Sequence, residues 1–159
     1  MDAIEAKLRD MGHAIPELTP PVGTYVGAVR TGNLVFVSGH GPFRDGEWHY
    51  IGKLGRDMDV ETAREAAHLV ALNMLASLKA EIGTLDRVQR VVRLFGMVNS
   101  APDFAEQPKV IDGASNLLVE LFGDSGRHSR SAIGMGALPF GISVEIEMVV
   151  EIAPDGPAA

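Results

Sequence analysis

The stretch ISVEIEMVVEIA, residues 142–153, alternates with a period of two: Val144, Ile146 and Met148 fall on one side, Ser143, Glu145 and Glu147 on the other. A strand points successive side chains to opposite faces. The pattern therefore demands a sheet with one apolar face turned to a core and another face carrying carboxylates. Two helical patterns supply the cover for the apolar face. From Val60, apolar residues recur at three- and four-residue spacing through Ala63, Ala67, Val70 and Met74 to Ile82, with Asp59 placed to cap the start and Gly83 the end. From about Lys109 a second stripe, through Val110, Ala114, Leu117, Leu118 and Leu121, runs to a stop at Gly123, and Gly113 weakens its first turn.

The remaining β-type runs complete the order. TYVGAVRTG (24–32) and NLVFVSGH (33–40) meet at a turn-prone Thr-Gly-Asn and read as a hairpin that ends in the glycine-rich GHGPFRDGEW. RVQRVVRLFGMVNS (87–100) is a third strand. SRSAIGMGA (129–137) is a fourth, joined to the last by the short turn LPFG. The turn predicts that these final two strands are antiparallel neighbours sharing one site. The sequence thus runs ββ, helix, β, helix, ββ, a two-layer α+β domain over residues 1–159 with a sheet packed on two helices. Residues 1–20 form a preceding arm: a helix over Ile4–Met11, then the proline-rich IPELTPPVG, which cannot continue it.

With 159 residues, 46% of them hydrophobic, the chain is long enough for a real core. It has no cysteine, which removes disulfides and thiolate chemistry together. Its N-terminus lacks the basic-then-apolar form of a signal peptide, and no apolar run reaches membrane-spanning length, so the expectation is a soluble, cytoplasmic protein. A net charge of -7 argues against a nucleic-acid partner, because phosphate contacts need a broad basic face. The five histidines show no close ligand pairing, so no metal is expected.

Against that acidic background, Arg127, His128 and Arg130 gather three cationic or titratable side chains in four residues at the mouth of a strand. Such a cluster suits one small anion, or else is a solvated loop. A guanidinium presents a planar fork that takes a carboxylate in bidentate fashion, which makes Arg130 the candidate anchor. Valine, alanine and phenylalanine in the hairpin also give the second sheet face apolar character. If another subunit covers that face, Glu145 or Glu147 is held in a partly buried cleft where a carboxylate carries protons.

VGTYVGAVRTGNLVFVSGH, RSAIGMGALP and VEIEMVVEI, in that order and spacing, resemble the RidA/YjgF family of small enamine and imine deaminases, in particular its longer subgroup, from about Pro21 to Ile152. The resemblance implies a chorismate-mutase-like, ferredoxin-like two-layer fold, assembled as a homotrimer around a central barrel with active sites between subunits. It implies hydrolysis of amino-acid-derived enamines or imines, of the 2-aminoacrylate type, to 2-keto acids and ammonia, without metal or cofactor. Arg130 would hold the substrate carboxylate, Glu145 would orient water and shuttle its proton, and Tyr25 would line the pocket. Ser38, Gly39, His40 and Ala132 would form the binding walls, with backbone groups near Gly39 and Ala132 fixing the substrate. The chain departs from the family pattern at His40, where the shorter members commonly have Gln, at Ala132, and in a longer loop over 106–114. Three other readings stand beside this one. The first is a non-catalytic trimer sensing a small carboxylate or keto acid, the second an endoribonuclease, which the acidic charge opposes, and the third a scaffold in which Arg130 pairs with Glu145.

Overall fold

The computed structural model describes residues 2–18 and 20–155; within the expected arm, Met1 and Thr19 lie outside the described residues. Helix α1 spans Ala3–Asp10, capped by the Asp2 carboxylate, which accepts from the Ile4 and Glu5 amides. Strands β1 (Ala28–Thr31) and β2 (Leu34–His40) form the expected hairpin, although Tyr25 to Gly27 stay outside β1. The glycine-rich run after it contains a miniature hairpin, β3 (Phe43–Arg44) and β4 (Glu47–Trp48). Its Asp45-Gly46 turn has φ of 55° and 82°, the left-handed pair that such tight turns favour. Then follow α2 (Val60–Ile82), β5 (Val88–Asn99), α3 (Gln107–Phe122), β6 (Ser129–Met135) and β7 (Val144–Ile152).

The five long strands make one sheet in the order β1-β2-β7-β5-β6. Only β5 and β6 pair in parallel; β7 is antiparallel to both β2 and β5. The expectation that β6 and β7 are neighbours is therefore incorrect: β5 lies between them. A helical crossover such as α3 returns the chain parallel to the strand it left, so β6 takes the outer edge beside β5. The last strand then inserts into the remaining gap between β2 and β5.

Both long helices cover one face of the sheet. Val144, Ile146 and Met148 of β7 and Leu94 of β5 are buried against Val70, Met74 and Leu78 of α2 and Ile111, Leu117 and Leu118 of α3. Each such side chain contributes about 1.5–3 kcal/mol on burial. The segment read as a longer loop over 106–114 is helical from Gln107, two residues before the expected start, with Pro108 in its first turn where a missing N–H costs nothing. Gly113 is required by the helix crossing, since a Cβ there would meet the Arg64 carbonyl oxygen at 2.1 Å. Ser143, expected to face outward with the glutamates, is fully buried just ahead of β7. The other sheet face carries Val29, Leu34 and Phe36 of the hairpin and Ile133 of β6, all exposed, among Arg93, Glu145 and Glu147.

Candidate functional site

Most of the residues singled out in the sequence gather where β2 breaks its register with β7, between Val37 and His40. The Ser38 amide donates to the Gly27 carbonyl at 2.9 Å and its hydroxyl to the Val26 carbonyl at 2.6 Å, which ties the Tyr25–Gly27 segment to the strand. Gly39 is open space for a neighbour: a Cβ there would lie 2.3 Å from Glu145 Oε1. The Glu145 carboxylate therefore rests directly over the Gly39 backbone. Burial, reinforced by the charge of Glu147, pushes the Glu145 carboxyl above its ordinary value, which readies it to exchange protons nearer neutrality.

His40 is buried rather than poised at the surface. Its Nδ1 lies 2.6 Å from the Ser38 carbonyl, which can only accept, so Nδ1 carries the proton and Nε2 accepts from the Ser77 hydroxyl at 2.7 Å. Burial lowers its pKa and keeps the ring neutral, with the Ser38 bond opposing. One edge of the ring still lines a water-sized cleft of about 30 Å³, together with Tyr25, Gly39, Pro21 and Trp48. Trp48 was not among the residues expected at the site. It stacks on Phe140 from the turn before β7, with centroids 4.9 Å apart and planes at 14°, and so builds an aromatic wall beside the cleft.

Arg130 and Ala132 lie elsewhere. On the edge strand β6 both side chains turn toward the helical layer. Arg130 Nη1 donates to Asp112 Oδ1 at 2.7 Å and to Ser115 Oγ at 3.0 Å, and Nη2 donates to the Pro108 carbonyl at 3.3 Å, all from α3. Ala132 packs against the core. The Ser115 hydroxyl also meets His128 Nε2 at 2.9 Å, while His128 Nδ1 contacts the Gly126 carbonyl at 2.6 Å. Burial first and then Arg130 lower the His128 pKa, with the Gly126 bond opposing, so this ring is a neutral acceptor. Arg127 points into solvent beside Asp124. The three clustered side chains thus have three different fates, and the scaffold pairing of Arg130 with Glu145 does not occur within the chain, because Asp112 is the partner.

Arg130 and Glu145 lie on opposite faces of one sheet, on strands separated by β5. Gly39 and Arg130 are three strand spacings apart, roughly 14 Å. Within one chain the predicted residues fall into two separate groups: Tyr25, Ser38, Gly39, His40 and Glu145 in one, Arg130 and Ala132 in the other. Among the described residues no group of three histidine, aspartate or glutamate side chains is placed to hold a metal. No described helix is long and apolar enough to cross a membrane.

The family described as "YjgF/chorismate_mutase-like, putative endoribonuclease" matches residues 5–151. Protein TCP17 of Trypanosoma cruzi is 40% identical over 150 residues, which are 94% of each chain. Among solved structures, the protein Atu1372 of Agrobacterium tumefaciens, of unknown function, is 45% identical with a TM-score of 0.88, over 94% of this chain and 92% of that one. RidA from an Antarctic Psychrobacter is 26% identical with a TM-score of 0.61, over 86% and 94% of the two chains.

Proposed function

Since this chain belongs to the YjgF/chorismate-mutase-like family, we propose that it hydrolyses amino-acid-derived enamines and imines to 2-keto acids and ammonia, at sites completed by a second copy of itself in a homotrimer. The observation that carries this reading is the Glu145 carboxylate, half-buried over Gly39 and raised by its surroundings, beside a cleft lined by Tyr25 and Trp48. A carboxylate that holds its proton more tightly than an ordinary one suits a group that must both take and return a proton.

The substrate carboxylate binds Arg130 of one copy, and the C=N carbon lies against the Gly39–Glu145 half of another. Glu145 takes a proton from water as its oxygen adds to the imine carbon, with the nitrogen protonated. The resulting carbinolamine then receives that proton on nitrogen and expels ammonia while its hydroxyl proton passes through Glu145 to the departing ammonia, leaving the keto acid, ammonium and the carboxylate regenerated. Tyr25 donates to the substrate from the rim. General acid and base help of about 10²–10⁴-fold is sufficient for a substrate that already hydrolyses in water. The exposed apolar side chains of the open face, Val29, Leu34, Phe36 and Ile133, are what a contact between copies would cover. The net charge of -7 favours this reading over RNA cleavage.

The test is the rate at which imino acids, generated by an amino-acid oxidase or a pyridoxal-phosphate lyase, disappear with wild type, Arg130→Ala and Glu145→Gln. Acceleration by wild type alone supports the reading. Mixing the two inactive variants and refolding them together restores part of the activity if the two residues act from different chains. Binding of small carboxylates without turnover of any imine replaces the enzyme with a carboxylate sensor.

A further inference from the structure

Of the five N–H bonds of a guanidinium, Arg130 commits both on Nη1, to Asp112 and Ser115, and one on Nη2, to the Pro108 carbonyl. Nε–H and one Nη2–H remain, enough for a two-point contact with a carboxylate. The geometry is that of a receptor held from behind. Its charge, however, is already matched: Asp112 sits 2.7 Å away, and the two side chains are only 22% and 39% exposed. An incoming anion must displace the Asp112 carboxylate or bind across the guanidinium from it, close enough for the two negative charges to repel. Either route weakens anion binding, and the penalty grows with the charge of the ligand.

We propose that Asp112 is the specificity-determining residue of the Arg130 half-site: as a built-in counter-ion it confines the site to singly charged carboxylates and rejects dianions. This rests on the reading of Arg130 as the carboxylate anchor. It places the preferred substrates among imino acids with uncharged side chains, and excludes those carrying a second carboxylate or a phosphate. Ser115 and Pro108 position the guanidinium without opposing the ligand, since neither bears a charge. Asn at 112 keeps an oxygen acceptor at the same place, so Asp112→Asn separates charge from position.

The experiment is calorimetric titration of wild type, Asp112→Asn and Arg130→Ala with benzoate and with malonate. The expected result is that Asp112→Asn binds benzoate up to about fivefold tighter, as a competing, partly exposed ion pair is removed, and gains a larger factor for malonate. Asp112→Ser gives the same direction should the Asn variant not fold. Unchanged or weaker binding, an equal gain for both ligands, or no binding by either the wild type or the Asn variant overturns the proposal. In all but the last of these cases Asp112 is only a strut for Arg130. Wild-type binding by Arg130→Ala is a separate failure, because it removes Arg130 as the anchor and with it the functional reading on which the proposal stands.

Discussion

The sharpest test of the Glu145 half-site is the addition of one methyl group at Gly39. An alanine Cβ at 39 would stand 2.3 Å from Glu145 Oε1 and 3.2 Å from its Cδ. Carbon and oxygen settle at about 3.3 Å, so the carboxylate must withdraw by about 1 Å. Only the far end of a flexible side chain moves. Gly39 does not have a left-handed φ, so the alanine gains about 0.4–1 kcal/mol by restricting the unfolded chain. Forcing Glu145 off its rotamer costs about 0.5–1.5 kcal/mol. The two nearly cancel, and Tm should stay within about 3 °C of wild type. Activity responds differently, because a misplacement of about 1 Å can cost on the order of 10²-fold, close to 2.7 kcal/mol of barrier. Gly39→Ala is therefore expected to keep its fold and lose most of its imine hydrolysis in the coupled oxidase assay. Wild-type kcat/KM in this variant, alongside an inactive Glu145→Gln, would refute the claim that the carboxylate works from its place over Gly39.

Three further outcomes follow from the same contacts. Glu145 has a folded pKa raised above its ordinary 4.5 by burial and then by Glu147, so its contribution to stability is present below 4.5 and lost as pH rises through the folded value; Glu145→Gln should raise Tm at pH 7 and leave it unchanged at pH 4. Gly113→Ala gains about 1 kcal/mol in helix propensity but drives a methyl into the Arg64 carbonyl at 2.1 Å, an overpacking worth about 3 kcal/mol. A fall in Tm of about 4–8 °C is expected, and a Tm at or above wild type would show that α2 and α3 can part without cost. Ser77→Ala strips the buried His40 Nε2 of its donor and should cost about 1–3 kcal/mol in urea denaturation at pH 7.5. Because burial depresses the His40 pKa below 6.5, the stability this ring contributes is present above that value and lost as pH falls below it.

Long periodic elements were legible in the sequence for a plain reason: burial of one face imposes a period that composition cannot hide. The alternation of β7 and the stripe of α2 each matched the structure within a residue or two. Strand order was not legible, because pairing is decided by the path of the crossovers. The short Leu-Pro-Phe-Gly turn suggested a hairpin, yet α3 had already placed β6 on the outer edge, and the turn carries the chain past β5. The Asp-Gly of residues 45–46 was a readable hairpin signal that delivers Trp48 to the cleft. Asp112 and Ser115 had no such signal, since their role depends on which face of α3 meets the edge strand.

The placement of Arg130 shows most clearly where pattern ends. In β7 the alternation of valine and isoleucine with glutamate declares which face each residue takes. In β6 the sequence Ser-Arg-Ser-Ala-Ile-Gly-Met offers small residues on both sides and no contrast from which a face can be assigned. As an edge strand it buries little, so burial selects few of its residues. Its register does the assigning: Arg130 opposite Leu94 and Ala132 opposite Gly96 take the helical side with them. Glu145, opposite Met97 in the same sheet, takes the other. The topology that makes the sheet therefore divides the candidate residues between its two faces and toward opposite edges. A small molecule that touches both Arg130 and Glu145 must do so across two chains, so chemistry that needs both depends on assembly in a way that neither half-site, taken alone, reveals.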